Sequence, residues 1–329
     1  CARRRGGESR RLIVETLSGL PVEAETKAQP RRFRVIGNAR AGSVLEAGVG
    51  NFARRIEAAF AAAGCDAEVE LLPPRAIEER LRAAVDDRAA TPVIAGGDGT
   101  VNGALPVLLE CPRPVGILPL GTVNVLGRDL GLLGTIEEQV SALCRGKPVA
   151  MDLGSINGRP FHSISGMGFF SLMAREREQA RRRFPFSRAI AFAFAAGRSI
   201  LFTRPIRIEL EIGGVQRQVE ADAVLVTVNQ FDGADWRRNR LDGGQLEVHI
   251  LDTGGLLSRT KAALSMLTGS WRTSHNLVSL TAEAVTLTRR DKRRGHVTFD
   301  GEVERRAGSL DYRLLPAALQ VIAARPAEI

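Results

Sequence analysis

Residues 93–105 read Val-Ile-Ala-Gly-Gly-Asp-Gly-Thr-Val-Asn-Gly-Ala-Leu, and few folds can hold such a run. Val93, Ile94 and Ala95 make a short apolar strand. Gly96, Gly97 and Gly99 then remove three side chains around Asp98, and from about Val101 the pattern turns helical. A strand, a glycine turn and a helix start gather backbone N–H groups and a positive helix end at one point, which suits a phosphate. Without Cβ atoms a ligand can approach the backbone closely. A bare carboxylate there would repel phosphate, so Asp98 implies a cation or an acceptor hydroxyl between the two. The plain alternative is a tight turn with an Asp cap.

Residues 116–132 repeat the arrangement: Gly-Ile-Leu-Pro-Leu-Gly-Thr-Val-Asn-Val-Leu-Gly-Arg-Asp-Leu-Gly-Leu. A strand over 115–118 meets a turn at Pro119–Gly121, and Thr122 and Asn124 open an expected helix. Thr122 either caps that helix or, with Asn124, places polar groups beside phosphates held by the first turn. Two such units about 25 residues apart fit neighbouring strands of a parallel sheet, whose ligands sit at the carboxyl ends of the strands.

The pair Gly-Gly-Asp-Gly-Thr and Leu-Gly-Thr-x-Asn resembles the diacylglycerol kinase catalytic-domain family, ATP-dependent lipid kinases. The resemblance extends to 35–43, Val-Ile-Gly-Asn-Ala-Arg-Ala-Gly-Ser, and to 299–302, Phe-Asp-Gly-Glu. It implies that Asn38, Gly42, Gly96, Gly97, Asp98, Gly99, Thr100, Asn102, Gly121, Thr122 and Asn124 hold ATP with Mg2+. It also implies Glu302 as general base, with Asp300 and Asp98 as its catalytic partners. Asp98 would ligate the metal, and Asp242, after a one-residue shift in its loop, would be a further ligand. Departures from the pattern are Ala39 for Pro, Gly103 for Glu, Val125 for Asp and Gly243 for the second Asp of the metal loop.

Composition narrows the rest. The chain has 329 residues, a net charge of +9 and 5% aromatic residues. Arginine clusters at 3–5, 31–34, 181–183, 237–240 and 289–294 read as solvated faces or as attraction to an anionic surface. Aromatics do not interleave with them, which argues against a stacking platform for nucleic acid. Cys1, Cys65, Cys111 and Cys144 lack metal spacing and read as reduced thiols. Cys1 without a preceding Met reads as a fragment end or a processed terminus. His162, His249, His275 and His296 lack metal spacing and read as structural or exposed.

The expected fold is α/β plus all-β: an N-terminal parallel-sheet nucleotide-binding domain, then an antiparallel β-sandwich. Residues 1–30 read as a flexible basic tail, 31–150 as the α/β domain, 151–314 as the β-sandwich for lipid substrate with helical insertions near 168–202 and 258–267. Residues 315–329 read as a segment returning to the first domain. The amphipathic pattern predicts a helix over 51–63 ended by Gly64, and a second over 74–85. The apolar faces of 164–173 and 189–202 read equally as an acyl-chain groove or as domain core.

The function expected is transfer of the ATP γ-phosphate to a lipid hydroxyl, in the cytoplasm and peripherally at the inner face of the membrane. The alternatives are a soluble-substrate kinase of the NAD-kinase or phosphofructokinase type, and a non-catalytic basic membrane-binding protein. Expected partners are a lipid substrate at a membrane surface and no specific nucleic acid, with a homodimer left open.

Overall fold

Four strands form a parallel sheet in the order β2-β1-β3-β4: β1 Arg32–Asn38, β2 Asp66–Leu72, β3 Thr91–Gly96 and β4 Gly116–Pro119. The structure is a computed structural model that describes residues 31–183, 188–231, 237–238, 240–268, 272, 277–290, 295–306 and 308–324. The tail expected over 1–30 lies outside the described residues, and so does His275. Apolar runs such as Pro-Val-Ile-Ala in β3 are buried on both faces, as parallel strands between helices must be.

The helices of this half are α1 Gly42–Ala47, α2 Val49–Ala62, α3 Pro74–Asp86, α4 Asp98–Leu108, α5 Val125–Asp129 and α6 Ile136–Arg145. Helix α2 matches the expected amphipathic segment and buries Phe52, Ile56, Ala59 and Phe60. Gly64, at φ +72°, lets the chain leave it without a Cβ clash. A capping box of Thr135 and Glu138 starts α6.

The second sheet has eleven strands, and every pairing within it is antiparallel. Its elements are β5 Lys147–Ile156, β6 Arg159–Phe161, β7 Ile164–Gly168, α7 Phe169–Arg183, α8 Arg188–Phe202, β8 Ile206–Ile212, β9 Val215–Val228, β10 Leu246–Asp252, α9 Gly255–Thr268, β11 Leu277–Ala282, β12 Ala284–Arg289, β13 Gly295–Phe299, β14 Glu302–Arg306 and β15 Ser309–Ala323. The short segments rich in Val, Ile, Leu and Thr at 207–212, 216–229, 245–251, 284–288 and 296–299, which read in the sequence as strands of the sandwich, fall on β8, β9, β10, β12 and β13. The helical insertions are α7 with α8, and α9.

From Arg31 onward the chain is one compact unit with two main cores. One core lies around the parallel sheet and takes in Met151 and Leu153 of β5 and Leu319, Val321 and Ile322 of β15. Val115 also bonds across to this last segment, its N–H donating to Gln320 O at 2.9 Å and its carbonyl accepting from Ile322 N at 2.9 Å. Buried Asp152 fastens two irregular turns nearby, accepting Gly244 N at 2.7 Å and Ala317 N at 2.7 Å. The second core is built from Ile, Val, Leu and Phe residues of the antiparallel sheet. Of the proposed groove faces, Ser165, Gly166 and Met167 are buried within the sheet.

Candidate active site

Strand order fixes where a ligand fits. The chain runs from β1 to β2 on one side and to β3 on the other, so the crevice opens at the carboxyl ends of β1 and β3. Asn38 ends β1 and Thr100 follows β3. They bridge this point, with Asn38 Nδ2 donating to Thr100 Oγ1 at 3.0 Å.

The two glycine turns lie at the same end of the sheet, because Gly96 pairs with Pro119 in the β3–β4 register. They also touch. A Cβ on Gly97 would sit 3.2 Å from the Gly121 Cα. Asp98 ties the turns together: Asn124 N donates to Oδ2 at 3.0 Å and Val125 N to Oδ1 at 2.8 Å. Asn124 adds a ring of its own, accepting from Gly121 N and donating to Gly121 O, both at 2.9 Å.

This geometry corrects one local expectation. Thr122 does not cap the second helix. That helix is short and starts at Val125, after Asn124 in the left-handed conformation at φ 49°. Its first amides are already engaged by Asp98, so they hold the carboxylate instead of a phosphate. The amides left for an anion are at the start of α4, where Gly97 stands at the N-cap with no side-chain cap: Thr100 N already donates to Gly97 O at 2.9 Å, which leaves the N–H groups of Asp98 and Gly99.

A cleft of about 1100 Å³ opens over this point. Asn38, Gly42, Gly97, Asp98, Gly99, Thr100, Gly121 and Thr122 line one wall, and Asp300, Gly301 and Glu302 another. A Cβ on Gly99 would lie 3.6 Å from Glu302 Oε1, so the base candidate faces the glycine turn directly. Glu302 is held by Arg159, whose Nη2 donates to Oε2 at 2.8 Å. The same guanidinium pairs with Glu304 and lies over the Phe299 ring, 4.6 Å from its centre.

Asp300 is buried and anchored. It accepts from His162 N at 2.7 Å, Ser163 N at 2.9 Å, Ser163 Oγ at 2.6 Å and Ile164 N at 3.1 Å. With four donors it is a fixed part of the wall. It turns the chain at φ 45° and directs Gly301 and Glu302 into the cleft. The His162 ring is fully buried, with Nε2 3.7 Å from Asp300 Oδ2. Burial pushes the Asp98 carboxyl above its ordinary range, opposed by the nearby charge of His162 and the Val125 amide, and assisted by Asp300.

Four sequence-derived candidates lie off the cleft wall. Gly96 is where a Cβ would strike the Thr100 side chain at 2.5 Å. Asn124 sits behind the second turn. Asn102 is buried, its amide nitrogen within 3.2 Å of Pro160 O and 3.3 Å of Asp300 Oδ2 in the orientation that satisfies both. Asp242 is half-exposed and pairs with Arg240 at 3.2 Å. Among the described residues no cluster of three or more His, Cys, Asp or Glu could hold a metal by itself.

Sequence reading missed Arg159 and, on the basic rim of the cleft, Arg175 and Arg305; His162 is buried, within the reading of the histidines as structural or exposed, and His296 joins the rim. Burial lowers the His296 pKa, and Arg175, Arg305 and Arg289 lower it further. One signal for Arg159 was available: Asn157-Gly158, with φ 50° and 82°, is a tight hairpin pair that places Arg159 at the start of a returning strand.

At the switch point of the parallel sheet two glycine turns meet, and carboxylates carried by the antiparallel sheet face them across the cleft. Comparison with known proteins gives the family. Residues 32–156 match the diacylglycerol kinase catalytic domain, and residues 167–323 match the YegS C-terminal NAD kinase beta sandwich-like domain. The chain belongs to the diacylglycerol kinase catalytic-domain family, a family of kinases. A diacylglycerol kinase of Staphylococcus carnosus is 35% identical over 99 residues, 29% of this chain and 32% of that protein. An Enterobacter protein named "Probable lipid kinase YegS-like" is 26% identical over 199 residues, 56% of this chain and 62% of that protein. The matched stretches thus span about a third to three fifths of these relatives. A crystal structure of a diacylglycerol kinase from Bacillus anthracis shares the fold, with a TM-score of 0.67 at 16% identity over 92% of this chain and 100% of that one.

Proposed function

We propose that the cleft transfers the γ-phosphoryl group of ATP to a lipid hydroxyl. The observation that carries this reading is the meeting of the two glycine turns, locked by Asp98, directly opposite Glu302. Phosphoryl transfer needs positioning and charge neutralisation more than covalent help from the protein. The Asp98 and Gly99 amides at the start of α4, beside the Gly97 turn, receive phosphate oxygens. Asn38 and Thr100 set the depth of the pocket, and Arg175 and Arg305 draw the anion to its mouth.

The donor set fits Mg2+ carried by nucleotide phosphates, since Mg2+ takes one or two carboxylates and fills its other positions with water and phosphate oxygens. Asp98 is the carboxylate that would meet it, and when bound it would spread the charge of the transferring group. Glu302 accepts the proton of the acceptor hydroxyl, and Arg159 holds that carboxylate toward the glycine turn. Asp300 fixes the turn from which Glu302 projects.

The lipid reading draws support from the family and from the +9 charge, which favours an anionic membrane surface. Among the described residues no helix is long and apolar enough to cross a membrane. We place the work in the cytoplasm, at the inner membrane face, with lipid as the partner. A second reading is a water-soluble acceptor, favoured by the NAD kinase-like description of the second half.

The test is incubation with labelled ATP, Mg2+ and a panel of diacylglycerol, phosphatidylglycerol, ceramide and a sphingoid base, with soluble polyols and NAD in parallel. Labelled lipid that disappears with Glu302→Ala supports the reading. Label only in soluble products, or in none, sinks it.

A further inference from the structure

Among their described side chains, two neighbouring helices turn several large apolar residues outward and small ones inward. On α8, Leu201 and Phe202 are 62% and 59% exposed, whereas Ala195 and Ser199 are buried. Phe194, Arg198, Leu201 and Phe202 follow the spacing of a single helical face. On α9, Leu257 is 77% exposed and Ser258 is buried. Leu257, Thr260, Lys261 and Leu264 again share one face. Water alone would select the reverse arrangement, because a buried Leu or Phe is worth about 1.5–3 kcal/mol over an exposed one.

The two faces spring from one place. Ile206, which follows α8, and Asp252, which precedes α9, both pair with Ala221 of β9. Gly168, from which α7 departs, pairs with Ala223 close by. Helix α7 packs on α8 and α8 on α9. The same α7 carries Ala174, Arg175 and Gln179 to the cleft wall. The apolar tips therefore belong to the structure that borders the cleft.

We propose that the outer face of α8 and α9 docks on an anionic phospholipid bilayer, with Leu201, Phe202, Leu256 and Leu257 entering the headgroup layer. Charge selects this occupant. Arg204 and Lys261 flank the apolar tips, are exposed and make no ion pair among the described residues, and Asp252 is the exposed acid beside them. Arg198 pairs with Glu176 and lies over the Phe194 and Phe202 rings. Lysine is depleted from the centres of protein interfaces, whereas at a membrane it lays its stem on apolar surface and keeps its charge among headgroups. The inference deepens the lipid-kinase reading and rests on it for its purpose.

The experiment measures binding without nucleotide, using the whole chain. Co-sedimentation is run with vesicles of equal parts phosphatidylglycerol and phosphatidylcholine, against phosphatidylcholine alone. The chain partitions onto the anionic vesicles. The triple variant L201Q/F202Q/L257Q loses at least about tenfold, and R204Q/K261Q about fivefold per charge, with a weaker salt dependence. If the triple variant misfolds, Leu257→Trp reports instead, by a blue shift on vesicles and quenching by brominated lipid.

Wild-type protein that ignores anionic vesicles overturns the proposal. So does a triple variant that is folded and binds as well as wild type, or an apolar face shown by sedimentation to close a dimer that leaves vesicle binding untouched. Vesicle binding sensitive to these variants, with no labelled lipid in the kinase assay, would uphold the docking face and sink the lipid-kinase reading alone.

Discussion

The α-carbons of Gly97 and Gly121 approach so closely that a Cβ on Gly121 would stand 2.6 Å from the Gly97 Cα and 2.6 Å from Asn124 Oδ1. Neither neighbour can yield, since one is backbone and the other is held by two hydrogen bonds. Gly121→Ala is expected to part the two turns, lower stability by about 1–3 kcal/mol and weaken ATP binding at least tenfold. Gly197→Ala, in α8 and off the cleft wall, is the matched control. Its Cβ would meet nothing within 4 Å, so replacing a helical glycine there stabilises the chain by about 0.5–1 kcal/mol. Thermal melts and nucleotide titration of the two variants check the pair.

Asp98 makes stability depend on pH in an unusual direction for a carboxylate. Its folded pKa is raised, mainly by burial. Its contribution is therefore fully present below the ordinary value of 3.8 and is lost as pH climbs through the raised folded value. Asp98→Asn cannot titrate. The variant is less stable than wild type at low pH, and the gap narrows as pH rises above the ordinary carboxyl value of 3.8. Denaturant melts along that rise measure it, and a gap that widens would refute the assignment.

Arg159 and Glu302 divide positioning from chemistry. Glu302→Ala is expected to lower kcat by about 10²–10⁴, the usual weight of a general base. Arg159→Met leaves the carboxylate in place but loosens it, so kcat falls by less, on the order of tenfold, with KM for ATP little changed. Arg159→Lys recovers part of the loss by restoring one charge-assisted bond. Equal effects of Glu302→Ala and Arg159→Met on folding, and none on turnover, would make the pair merely structural.

Local patterns in the chain foretold what depends on neighbours in sequence. The apolar run before Gly96, the amphipathic face of 51–63 and the β-rich segments after 206 each appear where composition and periodicity put them. The start of α5 did not, because Asn124 adopts its left-handed turn to bond with Gly121 while Asp98, 26 residues away, takes the amides that a regular cap would use. Asn102 read as a phosphate contact from its place after Gly-Asp-Gly-Thr. In the fold it lies one helical turn inward, against Pro160 and Asp300. Arg159 and His162 meet the 300–302 turn only through pairing of distant strands, which no local spacing encodes. The final strand shows both cases. The expectation of a terminal segment from 315 named the part that bonds to Val115, but β15 begins at Ser309 and shifts register between Leu315 and Leu319, where Ala317 is captured by Asp152.

The fully buried pair of Asp129 and Arg238 tests how the glycine-turn half is joined to the antiparallel sheet. Arg238 donates to Asp129 through its backbone N and its Nε, both at 2.8 Å, and its Nη1 reaches His162 O at 2.7 Å. Its guanidinium lies 5.5 Å from the centre of the Phe231 ring. Asp129 ends α5, directly after the turn that Asp98 holds, and His162 begins the loop that holds Asp300. One side chain thus links the supports of both cleft walls. Removing either partner strands a charge in a dry site, at about 3–5 kcal/mol. Arg238→Met and Asp129→Asn are each expected to fall in that range, and the double variant to lose clearly less than the sum, because no uncompensated charge is left. Urea melts of the four proteins give the coupling. A double variant whose loss equals the sum of the singles would show that the pair does not act as the joint.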